Sequence, residues 1–104
     1  FPGAYPATLA EMMRIFEHNN FSVLDVENIR LHYAQTLQHW LDRFEEHADG
    51  VRRMYDERFV RMWRLYLAGS KASFIVGALQ LFQIVFARGH DNTVPMSREH
   101  LYRV

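Results

Sequence analysis

The chain has 104 residues, 49% of them hydrophobic and 23% charged, with 12 basic residues balanced by 12 acidic ones. That length supports one small core, the composition excludes disorder, and the charge balance leaves no field that would draw in nucleic acid. Cysteine is absent, which excludes a disulfide framework and a thiolate metal site, and no apolar run reaches the ~18 residues of a membrane-span candidate.

The opening Phe1-Pro2-Gly3-Ala4-Tyr5-Pro6 has neither the basic flank nor the apolar stretch of a signal peptide. It reads as the loop after a strand, in a piece of a longer chain. Thr8-Leu9-Ala10-Glu11 is a capping-box pattern: the Thr8 hydroxyl accepts from the Glu11 amide and the Glu11 carboxylate reaches back. Leu9, Met12, Met13 and Phe16 then share a face at helical spacing, and His18-Asn19-Asn20 ends the helix because Asn tolerates the left-handed conformation. Loop and helix are thus expected over 1–20. Val23, Leu24, Val26 and Ile29 predict a strand over 21–30.

From Ala34 the period changes. Ala34, Leu37, Leu41, Phe44 and Ala48 recur at three and four, with Trp40 widening the stripe, so an amphipathic helix is expected. Asp49-Gly50 reads as a turn, and Val51 opens a helix with Tyr55, Phe59, Met62, Trp63 and Tyr66 on its apolar side. Arg53, Glu57, Arg61 and Arg64 lie on its solvated side. Gly69-Ser70 ends or kinks this helix, and a third helical stretch runs to about Val76, so 34–76 is helical overall. Gly77 precedes a second strand over 79–87, and the polar, turn-rich 89–104 reads as a mobile tail. The helical excursion can bring the second strand back to the first, which makes the fold class α+β and helix-rich.

The residues themselves leave the chemistry open. His32, His39 and His47 lack the i,i+4 spacing that puts two ligands on one helix face, so no metal site is expected. There is no G-x-S-x-G, Walker or G-x-G-x-x-G motif. Aromatic residues at helical spacing, Tyr66 and Phe74 included, are ordinarily core, and Tyr33 on the same reading is an aromatic at a strand end that packs under the next helix.

Three blocks change that balance: Leu31-His32-Tyr33-Ala34-Gln35-Thr36-Leu37-Gln38-His39-Trp40, then the run from Phe59 to Ser70, then the run from Leu79 to Arg88. In that order, behind Phe1-Pro2-Gly3, they resemble the C-terminal third of a cyclopropane-fatty-acyl-phospholipid synthase, a class I S-adenosylmethionine-dependent methyltransferase. The resemblance implies a fragment of an α/β fold comprising the last two strands, the final one antiparallel, with 34–76 as a helical lid over an acyl-chain pocket. It implies transfer of a methyl or methylene group from S-adenosylmethionine to the cis double bond of unsaturated phospholipid acyl chains. The cofactor site would lie upstream of residue 1, so this piece alone would be inactive. It further implies a bound bicarbonate as proton acceptor, contacted by Tyr33 with His32 as a less certain neighbour, and an acyl cavity lined by Tyr66, Gly69, Ser70 and Phe74. One departure stands out: relatives commonly have Phe-Arg-x-Gly where this chain has Phe74-Ile75-Val76-Gly77.

A bacterial, cytoplasmic location peripheral to the inner membrane is expected from the same resemblance, and a homodimer is possible. The alternative is a non-catalytic helical interaction module that uses the aromatic face from Tyr55 to Tyr66. A peripheral membrane anchor on the Arg52–Arg64 helix is weaker, because Asp56 and Glu57 dilute its charge.

Overall fold

A computed structural model describes residues 6–102; Phe1-Pro2-Gly3 lies outside them. The chain divides into two compact units, one of residues 1–27 with 83–104 and one of residues 28–82.

In the first unit, helix α1 (Leu9–His18) starts where Thr8 caps it: the Glu11 amide donates to the Thr8 hydroxyl at 3.2 Å, and that hydroxyl meets the Glu11 carboxylate at 3.0 Å. It ends as the pattern requires. The Asn19 side-chain amide donates to the Ile15 carbonyl at 2.7 Å, and Asn20 takes the left-handed conformation at φ 59°. Strands β1 (Phe21–Asn28) and β2 (Phe82–Arg88) pair as a two-stranded sheet. The pairing is antiparallel, since Gly89 donates to Asn20 at one end and Ile29 to Leu81 at the other, both at 2.8 Å. Buried Phe16 packs against the rings of Phe86 at 4.6 Å and Phe21 at 6.2 Å, which fixes α1 on the sheet. The segment after β2, expected as a tail over 89–104, is described through Tyr102. It contains an ion pair of Arg98 with Asp25 at 2.6 Å and a 3₁₀ turn at Glu99–Tyr102.

The second unit is a helical pair with a short connector: α2 (Arg30–Glu46), α3 (Ala48–Met54) and α4 (Glu57–Ile75). Ala34 and Leu37 of α2 are buried against Leu67 and Phe74 of α4, with Tyr33, Leu41, Phe44 and Leu81 packed around them. Polar ties show that the two helices run antiparallel. Arg30 at the start of α2 bonds to the end of α4, Lys71 reaches Gln38 midway, and Glu45 near the end of α2 pairs with Arg64 early in α4. Arg64 holds the Glu45 carboxyl below the usual carboxylate range, chiefly through their hydrogen bonds.

Several boundaries differ from the expected ones, each for a local reason. β1 stops at Asn28 because the Asn28 side-chain oxygen accepts from the Arg30 amide at 3.0 Å and starts α2 there, four residues before the expected Ala34. Asp49-Gly50 is no turn: α3 runs through it, with Asp49 in the favoured first-turn position and paired with Arg52 at 2.6 Å. The breaks fall on either side of it, at His47 between α2 and α3 and at Tyr55-Asp56, where the Asp56 carboxylate caps α4 by accepting from Phe59 at 2.7 Å. Gly69-Ser70 does not end α4, which is helical for 19 consecutive residues. Gly77 is the true stop, at φ 81°. The turn it begins, held by the Gln80 side chain donating to the Gly77 carbonyl at 2.9 Å, delays β2 from Leu79 to Phe82.

Candidate active site

The early start of α2 relocates His32 and Tyr33. They lie in its first turns, not at a strand end, so their positions are set by helix geometry rather than by a loop. Tyr33 falls one turn after Arg30 and one residue before buried Ala34, which turns it toward α4. Its ring meets the ring of Phe74 edge-on at 4.8 Å, and Trp40 stands edge-on behind it at 5.9 Å. Edge-to-face pairs of this kind fix ring orientation. Tyr33 is half-buried, and its hydroxyl has no hydrogen-bond partner among the described residues. The result is a phenol held by its ring with its polar tip open.

Of the expected site residues, the structure brings Tyr33 and Phe74 into contact. Phe74 is buried at 8% exposure, and Ser70, one turn earlier on α4, is half-buried. His32 is exposed, and its carbonyl accepts from the Thr36 hydroxyl at 3.2 Å. Tyr66 belongs to a different feature, stacking on Trp63 at 5.2 Å. Trp63 stacks on Phe59, which stacks on Tyr55, so four rings form an aromatic ladder along α3–α4, the face on which an interaction module would depend.

Gly69 is exposed on α4, and a Cβ built there meets nothing within 4 Å. No neighbour in the described residues requires glycine, yet glycine inside a helix costs roughly 0.5–1 kcal/mol relative to alanine. Gly69→Ala should therefore raise the thermal midpoint of the chain by a few degrees, read by circular dichroism. A lowered midpoint would show that this backbone needs the missing side chain for folding.

Among the described residues no group of His, Cys, Asp and Glu is placed to hold a metal ion. Between β1 and α2 the chain passes through Ile29 alone, with no glycine-rich turn at that junction. The Tyr33 hydroxyl is a neutral donor beside the apolar ring of Phe74.

Arg30 is the residue that sequence reasoning missed. One Nη1 donates to the Phe74 carbonyl at 2.7 Å and to the Ile75 carbonyl at 2.9 Å, so it caps the end of α4 from the start of α2. A signal was present. Arg at the positive end of its own helix, with no acid in that first turn, is unfavourable unless its head group is used elsewhere.

Two antiparallel helices thus share an apolar seam, with the ring-held Tyr33 at one end of it. The chain belongs to the mycolic acid cyclopropane synthetase family, whose model matches residues 1–84. It is 42% identical over 85 residues to a probable fatty acid methyltransferase of Pseudomonas putida, covering 78% of this chain and 21% of that protein. It is 40% identical over 90 residues to the tuberculostearic acid methyltransferase UfaA1 of Mycobacterium tuberculosis, covering 85% of this chain and 21% of that protein. The cyclopropane-fatty-acyl-phospholipid synthase of Escherichia coli K12 is 34% identical over 79 residues, covering 76% of this chain and 21% of that protein. The chain thus spans about a fifth of the length of the curated relatives it matches.

Proposed function

We propose that this chain is part of an S-adenosylmethionine-dependent methyltransferase that adds a one-carbon group to the cis double bond of lipid acyl chains, with phospholipid acyl chains as the substrate. Family membership supports the reaction class, and the names of the relatives point to fatty acids, a phospholipid and sphingolipids, so what they share is a lipid. The observation that carries the reading is the oriented Tyr33–Phe74 pair with its open hydroxyl.

In this proposal Tyr33 would donate to a bicarbonate held beside it, and the bicarbonate when bound would supply the base for the proton lost in the reaction. Phe74 presents an aromatic ring to the positive charge that develops on the acyl chain, worth roughly 0.5–2 kcal/mol, whereas Tyr66, in the ladder with Trp63, would line the chain's path farther off. Gly69 and Ser70 leave room for the chain to pass, and His32 stands beside the anion site as a secondary contact. The cofactor is bound by residues outside this chain, and the enzyme works peripherally at the cytoplasmic face of the inner membrane.

The test is incubation of the full-length protein with methyl-labelled S-adenosylmethionine and vesicles of unsaturated phospholipid. The expected result is label in the acyl fraction, with one-carbon mass gain and cyclopropyl proton signals. Absence of label from the acyl fraction would overturn the reading. Label without cyclopropyl signals would overturn the ring product alone.

A further inference from the structure

Phe74 is gripped twice by α2. Its carbonyl accepts from the Arg30 guanidinium at 2.7 Å, and its ring meets the Tyr33 ring at 4.8 Å. Arg30 and Tyr33 are one helical turn apart, so the two grips lie side by side on one helix face. We propose that Arg30 is a positioning residue for Tyr33: by fixing the last turn of α4 it sets Phe74, and Phe74 sets the direction of the Tyr33 hydroxyl. The inference rests on the reading of Tyr33 given above.

The surroundings of Arg30 support this use. Its backbone amide is fixed by the Asn28 side-chain oxygen at 3.0 Å, and the Asn28 amide donates to the Gln80 side chain at 2.7 Å. Gln80 in turn donates to the Gly77 carbonyl at 2.9 Å, and Ile29 donates to Leu81 at 2.8 Å. The start of α2 and the turn after α4 are therefore held as one polar frame, with the guanidinium as the tie that reaches α4 itself. The Ile75 carbonyl is the second acceptor of that tie at 2.9 Å. No acid pairs with Arg30 among the described residues, so its charge is directed to the negative end of α4.

The test combines an activity cycle with a spectroscopic readout in the full-length protein. Arg30→Gln should lower kcat roughly tenfold to a hundredfold, as small misplacements of reacting groups do, with little change in KM. Arg30→Lys, which keeps the charge with a different reach, should recover part of that loss. In a Tyr33→Phe background Arg30→Gln should cost no more than about twofold, because the group it positions has gone. Glu45→Gln, which cuts the polar tie at the other end of the same two helices, should by contrast add to Tyr33→Phe. Ring resonances of labelled tyrosine, with Tyr33 identified by its loss in Tyr33→Phe, should move in Arg30→Gln toward their position in Phe74→Leu. An unmoved Tyr33 resonance, or full additivity of Arg30→Gln with Tyr33→Phe, would overturn the inference while leaving Tyr33 its role. A wild-type rate in Tyr33→Phe alone would overturn both.

Discussion

Leu67→Ala is expected to destabilise the chain by about 2–5 kcal/mol, the range for truncating a buried leucine in a seam that cannot close around the gap. Leu67 is 2% exposed and sits at the centre of the α2–α4 core with Ala34, Leu37 and Phe74. Two of its neighbours explain why the gap would persist: Ala34 has only a methyl group, which cannot extend into it, and Phe74 is tied through its carbonyl to Arg30. Leu65 on the same helix is 74% exposed, so Leu65→Ala is the matched control and should change stability by no more than about 0.5 kcal/mol. Urea unfolding of both variants, followed by circular dichroism, separates the two positions. Since domains of this size retain only about 5–15 kcal/mol in total, the first variant should lose much of its margin. Equal midpoints for the two variants would mean that the α2–α4 seam is not the core.

How much of this was legible in the sequence depends on whether the deciding interaction is local. The Thr8 cap, the Asn19-Asn20 stop and the Gly77 stop are each decided within a few residues, and each is found where the pattern puts it. Asp49-Gly50 and Gly69-Ser70 carry the same turn-forming residue types, yet both lie inside helices. There the packing of neighbouring residues, buried Ala48 beside the first pair and buried Leu67 and Phe74 around the second, outweighs a penalty of about 1 kcal/mol per glycine. The start of α2 was hidden because its N-cap residue, Ile29, has no capping side chain and the cap comes from Asn28 one step earlier. That one displacement moved Tyr33 from a strand end onto a helix.

The candidate site was legible only through the order of its blocks. Nothing in local pattern tells Phe74, which touches Tyr33, from Tyr66, which joins the ladder with Trp63, since both are aromatics on one helix. The distinction is made by the pairing of two helices far apart in sequence. Arg30 was illegible for the same reason: alone it is a surface cation, and only the antiparallel return of α4 brings two unpaired carbonyls within its reach.

If Tyr33 has the proposed role, Tyr33→Phe in the full-length protein should lower kcat by about 10²–10³, equivalent to ~2.7–4 kcal/mol, the cost of losing one preorganised donor to a reacting anion. The substitution keeps the ring, so the edge-on contacts with Phe74 and Trp40 at 4.8 and 5.9 Å survive and α2 keeps its packing. Because the hydroxyl has no partner among the described residues, its removal should leave the thermal midpoint nearly unchanged. On the proposed function KM for the lipid should also hold, since the variant keeps the apolar ring and loses only the hydroxyl. The defect should therefore fall on kcat, the pattern of an interaction made mainly in the transition state. If the lost function is retention of bicarbonate, raising bicarbonate should recover part of the rate in the variant and little in the wild type. Phe74→Leu offers the converse test: it keeps the hydroxyl and removes the ring that aims it, so its loss of rate should not respond to bicarbonate in the same way. A Tyr33→Phe enzyme with the wild-type rate at every bicarbonate concentration would reduce Tyr33 to a packing aromatic at the head of α2.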